Sequence, residues 1–448
     1  MNLDIFKAYD VRGKVGEDLT PEVAERLGRA LATWLPTAGA VVVGRDIRTD
    51  SAQLAEAFIN GVRQQGRDVW DLGQITSDMM YFCVGKFGLA GGAMITSGHI
   101  HSEYNGLRFC HEQARPIGVG EGLMNIRDLV VSNQFVSPPQ TGQVIKKDIA
   151  DDWIEHVLSF ADLTKWPKYR VAIDTGNGAA GPILQKIATK LPLQIFPMYF
   201  DPDPSFPNHP ADPLNGDNLT QIKAKISIEA CDFGFAFDAD GDHALMLDEQ
   251  GEVVTGKVIT AILATYLLGK NPGATILYNL ICGQTARDAI VAAGGKPFRT
   301  RVGFGYIKAD MRTQKALFAG EHTAHLYFKD NFYTDSGLIG MILSIQALAE
   351  SGEKLSDLAN KYRNKYVSSP EINFEVENKP QVIERVRATF TDGAQDLLDG
   401  ITVAYEDQGK WFNVRPSNTE PVLRLNAEAK SQQDLDELIN KVTKIIEE

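Results

Sequence analysis

Nowhere in this 448-residue chain does an uninterrupted apolar run reach the length of a membrane-spanning helix, about eighteen residues or more. The N-terminal "MNLDIFKAYD" lacks the basic stretch and apolar core of a secretory leader. Cysteine is scarce: Cys83, Cys110, Cys231 and Cys282 are scattered, with no C-x-x-C pair. They read as reduced, buried thiols suited to a reducing compartment, not as a disulfide framework. Cations are outnumbered, 45 Lys and Arg against 58 Asp and Glu, for a net charge of −13. No excess remains to displace phosphate counterions, which argues against non-specific nucleic-acid binding. A local basic pocket for a small anion is still compatible with that balance. The expectation is a soluble, cytoplasmic protein that binds neither membrane nor nucleic acid.

The length suggests about three domains. One pattern recurs three times, a short apolar run, a polar or Gly-rich turn and a segment of helical period: "AVVVGRDIRTDSAQLAEAFINGV", "YRVAIDTGNGAAGPILQKIA" and "ATILYNLICGQTARDAIVAAGG". Each reads as strand, loop and helix on a parallel or mixed sheet. The last eighty or so residues differ. "EINFEVEN" and "GITVAYED" alternate like half-exposed strands, and "SQQDLDELINKVTKIIEE" has helical spacing, which together read as an α+β domain with an antiparallel sheet. Boundaries near Val144, Gly251 and Ser368 divide the chain into domains over 1–144, 145–251, 252–368 and 369–448. The fold class is therefore α/β: three similar α/β domains with mixed sheets and a smaller C-terminal α+β domain.

Four stretches can carry chemistry. "FDADGDH" sets Asp238, Asp240 and Asp242 two residues apart after an apolar run. On a strand end, alternate carboxylates can converge on one hard cation, and without one they repel each other. A solvated acidic turn is the plain alternative. A calcium hand fails, because His243 stands where that loop needs glycine. "RPSNTEPVLR" joins Arg415, Ser417, Asn418, Thr419 and Arg424 in a Pro-bounded turn that can offer N–H groups, hydroxyls and a guanidinium fork to phosphate, or can be a surface turn. "GEHTAHLYF" brings Glu321, Thr323 and His325 together on a loop suited to sugar hydroxyls. "MITSGHIHSEYNGLRF", Met94 to Phe109, is a compact polar loop running into an Asn-Gly turn.

Taken in order, "FKAYDVRGKVGEDL", "GRDIRTDS", "EYNG", "GNGAAGP", "FPNHPADPL", "FDADGD", "NPGATI", "GEHTAHLYF", "DSGLI" and "RPSNTEPVLR" resemble the α-D-phosphohexomutases, and most closely their bacterial phosphomannomutase/phosphoglucomutase branch. The resemblance runs from end to end and implies four domains around a central cleft. It implies reversible transfer of phosphate between the 1- and 6-positions of a hexose through a phosphoserine, with Mg²⁺ between that group and Asp238, Asp240 and Asp242. It further implies that the 415–424 loop holds the non-reacting phosphate, that Glu321 reads sugar hydroxyls with Thr323 and His325 beside it, and that Arg12 and Lys308 serve the same cleft.

The chain departs from the family on the transferring side. Where the family's serine loop reads T-A-S-H-N-P, this one reads Thr96-Ser97-Gly98-His99-Ile100-His101, so Gly98 stands at the phosphorylated position. His243 replaces an Arg, Arg108 a Lys, Phe304 a His, and Ile281 a basic residue. Arg and Lys are both cationic, but only Lys readily gives up a proton. Ser97 offers a hydroxyl one residue away, and catalysis tolerates little misplacement. The expectation is a hexose-phosphate and Mg²⁺ binder, monomer or homodimer, with weak or absent mutase activity. The alternatives are an active mutase using Ser97, a repurposed phosphosugar enzyme such as a phosphatase or isomerase, and a non-catalytic sensor or partner.

Overall fold

The computed structural model describes residues 2–98, 103–135, 138–417 and 422–448. His99, His101, Asn418 and Thr419 lie outside the described residues. Each recurring unit folds as its pattern requires. Strand Val41–Arg45 leads to helix Ser51–Gln64, Arg170–Asp174 to Ala180–Ala188, and Thr275–Asn279 to Gly283–Ala292.

The first sheet has seven strands, with Val41–Arg45 parallel to both Val69–Gln74 and Gly91–Ile95. Tyr104–His111 then runs back antiparallel to Gly91–Ile95, which sets residues 96–98 at one end of the sheet. Val144–Lys146 pairs with Val69–Gln74, and the chain leaves this sheet only after it. The second and third sheets, of five strands each, repeat the mixed plan. In the second, Phe233–Phe237 turns through residues 238–243 into antiparallel Ala244–Asp248, which puts the aspartates at the strand end. The fourth sheet has six strands, and every strand pair in it is antiparallel.

Helix Pro21–Trp34 starts on a Thr20 cap that accepts from the Val23 N–H, with proline in its first turn. It meets Ser51–Gln64 so closely that a Cβ on Gly28 would stand 2.2 Å from the Phe58 carbonyl oxygen, and one on Gly61 2.0 Å from that of Glu25. The first three domains share one continuous apolar core, in which Phe82, Trp153, Phe233, Leu263, Ile276 and Leu338 belong to a single cluster. The fourth domain keeps its own, built on Val386, Phe412, Leu425 and Val442. Polar contacts such as Lys257 with Glu428, 3.3 Å apart, join the third and fourth domains. All four cysteines are buried and unbridged. Among the described residues, no helix is long and apolar enough to cross a membrane.

Candidate active site

The aspartate turn is buried and crowded with counter-charge. Asp238, Asp240 and Asp242 are at most 2% exposed, and one oxygen from each lies within 4.8 Å of the others. Arg108, from strand Tyr104–His111, brings Nη1 to 3.0 Å from Asp240 Oδ2 and into a short contact with Asp242 Oδ2. Ser77 Oγ at 2.7 Å and Thr96 Oγ1 at 3.3 Å also donate to Asp240 Oδ2. Asp240 Oδ1 and Asp242 Oδ1 accept no hydrogen bond at all. Buried acceptor oxygens without a donor are costly, and a small divalent cation satisfies them. The donor set therefore fits a cation bound on the Oδ1 side, with Arg108 retained on the Oδ2 side.

His243 closes the turn. Its Nδ1 is 3.4 Å from Asp238 Oδ2 and 3.6 Å from Asp242 Oδ1, and its ring stacks on His325 with centroids 4.3 Å apart. Burial disfavours the charged imidazole, but Asp238 and Asp242 outweigh it and hold the His243 pKa up to about 10. For Asp242, burial is likewise outweighed, chiefly by Arg108 and then His325, so its carboxyl stays ionised well below the usual range. Asp238 goes the other way, pushed up by burial despite His243.

The loop at 96–98 is built around a glycine. Gly98 takes φ +61°, the left-handed region, and its N–H donates to Thr96 Oγ1 at 3.0 Å. Arg48 Nη2 grips the Gly98 carbonyl at 2.7 Å and its Nη1 donates to the Tyr104 carbonyl at 3.3 Å, tying the two ends of the turn together. Ser97 is 1% exposed, and its hydroxyl donates to the same Tyr104 carbonyl at 3.0 Å.

Lys308 is paired with Asp335. It is 1% exposed, with Nζ 2.8 Å from Asp335 Oδ1 and 3.7 Å from the centre of the Tyr81 ring. Burial lowers its pKa, and Asp335 opposes that shift. The Phe304 ring lies between the two buried cations, 5.0 Å from Lys308 Nζ and 5.4 Å from the Arg108 guanidinium, with Tyr9 edge-on at 4.4 Å.

In the third-domain loop that carries His325, Glu321 Oε2 accepts from Asn279 Nδ2 at 3.1 Å, and Oε1 accepts from the Tyr327 hydroxyl in a short contact. Burial raises the Glu321 pKa. Thr323 Oγ1 is 3.0 Å from His325 Nδ1. Arg12 donates from Nε to Asp10 Oδ2 at 2.7 Å.

In the fourth domain Arg415 and Arg424 face each other directly across antiparallel strands. That placement repels unless a countercharge intervenes. Glu371 supplies it, 2.9 Å from Arg415 Nη2 and 3.1 Å from Arg424 Nη1. One carboxylate thus bridges the two guanidiniums. Ser417 N–H donates to the Val422 carbonyl at 2.9 Å and closes the turn. His322, in the third-domain loop, is driven to a pKa of about 3 by burial, then by Arg415, His325 and Arg424. The loop that carries Glu321 and His325 thus lies in the field of both arginines.

Several residues that shape this site escaped the sequence reading. Arg48 sits inside the quoted "GRDIRTDS" without an assigned role, and "ITSDMM" carries Ser77 and Asp78 at a recognisable helix start. Glu371, Asn279 and Tyr327 carry no comparable signal.

Comparison with known proteins gives the same account of the whole chain. Domains I, II, III and IV of phosphoglucomutase/phosphomannomutase match residues 3–135, 151–251, 255–366 and 371–445. A phosphohexose mutase of Xanthomonas campestris is 36% identical over 438 residues, covering 97% of each chain. A phosphomannomutase of Escherichia coli K12 is 34% identical, covering 97% of this chain and 96% of its own. The crystal structure of a phosphoglucomutase/phosphomannomutase family protein from Burkholderia thailandensis superposes with a TM-score of 0.91 at 30% identity, covering 100% of this chain and 97% of the other. An N-acetylphosphoglucosamine mutase from Aspergillus fumigatus shares the fold, at a TM-score of 0.62 and 13% identity. From its first domain to its last, this chain belongs to the phosphoglucomutase/phosphomannomutase family.

Proposed function

We propose that the protein binds a hexose phosphate together with a divalent cation, Mg²⁺ in the first instance, and does not run an efficient phosphoserine cycle. The observation that carries this reading is residue 98. Gly98 has no side chain to phosphorylate, and the neighbouring hydroxyl of Ser97 is buried and committed to the Tyr104 carbonyl. Holding the substrate is a separate matter. The guanidiniums of Arg415 and Arg424 suit a phosphate dianion, and the 320–325 loop offers Glu321, Thr323 and His325 to sugar hydroxyls.

The cation would be held by Asp238, Asp240 and Asp242 and would supply positive charge beside the phosphate. Arg108 and His243 neutralise the same carboxylates from the protein side. Arg108 does not offer the readily exchangeable proton of a lysine at that position. A cytoplasmic location and a monomeric or homodimeric state belong to the same proposal.

The test is turnover of glucose 1-phosphate and mannose 1-phosphate, with and without the bisphosphate activator, alongside intact mass after bisphosphate treatment. Calorimetric binding of the sugar phosphate with no phosphoryl adduct and little turnover is expected. A phosphoenzyme with rapid turnover would sink the proposal, and loss of that turnover in Ser97→Ala would locate the nucleophile one residue away.

A further inference from the structure

The fourth domain keeps its own apolar core and meets the third through polar contacts, among them a buried carboxylate. We propose that this residue, Glu428, is a positioning residue for the ligand. It holds the strand that carries Arg424 at a set distance from the 320–325 loop, so that one hexose phosphate reaches both. The inference rests on the reading of the cleft as a hexose-phosphate site and adds the residue that fixes its span.

Glu428 is 1% exposed, and both of its oxygens are engaged. Oε1 accepts from the Gln284 N–H at 2.8 Å and from Trp411 Nε1 at 3.1 Å. Oε2 accepts from Ser368 Oγ at 3.0 Å and lies 3.3 Å from Lys257 Nζ. Gln284 stands in the first turn of helix Gly283–Ala292, where unpaired N–H groups and the helix dipole favour an anion. Glycine at 283 is what admits the carboxylate. A Cβ there would stand 2.6 Å from Glu428 Oε1 and 2.7 Å from Oε2. The fourth domain thus inserts a charge into a slot built by the third, and a buried carboxylate tolerates little loss of such partners.

Two short paths lead from this slot to the two halves of the site. Along strand Val422–Ala429, Glu428, Asn426 and Arg424 share one face, which sets the slot ~13 Å from Arg424 at ~3.3 Å per residue. The pairs Trp411–Glu428, Asn413–Asn426 and Arg415–Arg424 stand directly opposite each other, and Arg415 Nη1 donates to Asn426 Oδ1 at 2.8 Å. That ladder carries both arginines. On the other side, Lys257 lies in the first turn of helix Gly256–Lys270, which begins against the backbone of the 320–325 loop. A Cβ on Gly256 would stand 2.3 Å from the carbonyl oxygens of both Glu321 and His322. The contact between Lys257 and Glu428 therefore joins the ladder beneath the 415–424 loop to the helix beneath the 320–325 loop. It does so across 171 residues of sequence.

A ligand that bridges two half-sites loses its advantage when they fall out of register, whereas inorganic phosphate needs only the 415–424 loop. Full-length parent, Glu428→Gln and Gly283→Ala proteins are titrated by calorimetry with inorganic phosphate and with mannose 1-phosphate or glucose 1-phosphate, whichever the parent binds more tightly. A chelator keeps cations from the aspartate turn, and urea unfolding checks that each variant folds. Glu428→Gln removes the charge from the fourth-domain side, and Gly283→Ala closes the slot from the third-domain side. Each should lower sugar-phosphate affinity by about 10-fold or more and leave inorganic-phosphate affinity within about 2-fold. The double variant should be little worse than either single one, because both changes act on one slot. An unchanged preference for the sugar phosphate in both variants, or an equal loss of both ligands, overturns this inference and leaves the hexose-phosphate reading standing. A parent that binds the sugar phosphate no more tightly than inorganic phosphate overturns both.

Discussion

Gly98→Ser restores the side chain that phosphoryl transfer in this family requires, and we expect it to fail as a rescue. The backbone resists first: a serine at φ +61° costs about 1–2 kcal/mol relative to glycine. Space resists next. A Cβ at residue 98 would stand 3.3 Å from Arg108 Nη2 and 3.6 Å from Asp240 Oδ1. Arg108 cannot step back freely, because its Nη1 is held by Asp240 and Asp242 in a buried pair. The variant should fold with roughly 1–2 kcal/mol less stability and present its hydroxyl to a pinned guanidinium. Chemistry resists last. His243 stands for an Arg and Phe304 for a His, and removing one group that stabilises the transferring charge typically costs about 10²–10³-fold in rate. Gly98→Ser alone should therefore remain at least about 10²-fold below the triple variant with His243→Arg and Phe304→His, with strong non-additivity among the three. Coupled mutase assays on parent, single, double and triple variants, with urea unfolding alongside, decide the matter. Full rescue by the single change, or substantial turnover in the parent, would show that the remaining substitutions are compatible with the chemistry and that this reasoning is wrong.

Arg424→Ala should weaken hexose-phosphate binding by roughly 1–3 kcal/mol in calorimetry, the scale of a charge-assisted hydrogen bond. Equal affinity of the parent for phosphorylated and unphosphorylated hexose would refute the assignment of the 415–424 loop. Asp242→Asn should abolish cation binding and also lower stability, by up to about 3 kcal/mol, because it removes one of the two carboxylates that balance buried Arg108. Unchanged stability would mean that carboxylate repulsion dominates the turn. Asp78, fully buried between the Thr76 and Ser336 hydroxyls, has its pKa raised to about 7 by burial, against those hydrogen bonds and with help from Asp242 and Asp335. Its folded pKa exceeds the unfolded 3.8, so the penalty is absent below about pH 4, grows as pH rises to about 7 and is constant above, at about 4 kcal/mol. Asp78→Asn should show a flatter stability profile between pH 4 and pH 7 in urea unfolding, and parallel profiles would refute the shift.

The sequence by itself determined the fold class and the local strand–turn–helix units. Period-two and helical patterns are local, so "YRVAIDTGNGAAGPILQKIA" declares a strand, a turn and a helix without reference to the rest of the chain. The alternate aspartates at 238, 240 and 242 likewise show their spacing directly, and Gly98 shows the missing side chain. What neutralises those aspartates was decided only in three dimensions. Arg108 reaches Asp242 across 134 residues, Ser77 reaches Asp240 across 163, and Ser336 reaches Asp78 across 258. Sequence reading treats the turn as repelling carboxylates awaiting an ion, whereas folding delivers a guanidinium and an imidazolium into it. Lys308 makes the same point: its partners, Asp335 and the Tyr81 ring, are remote from it in sequence. The physical reason is common to both. Hydrophobic patterning is set by neighbours in sequence, while a buried charge is set by whichever partner the tertiary fold brings within a few ångströms, because in low dielectric no charge stays there unpaired.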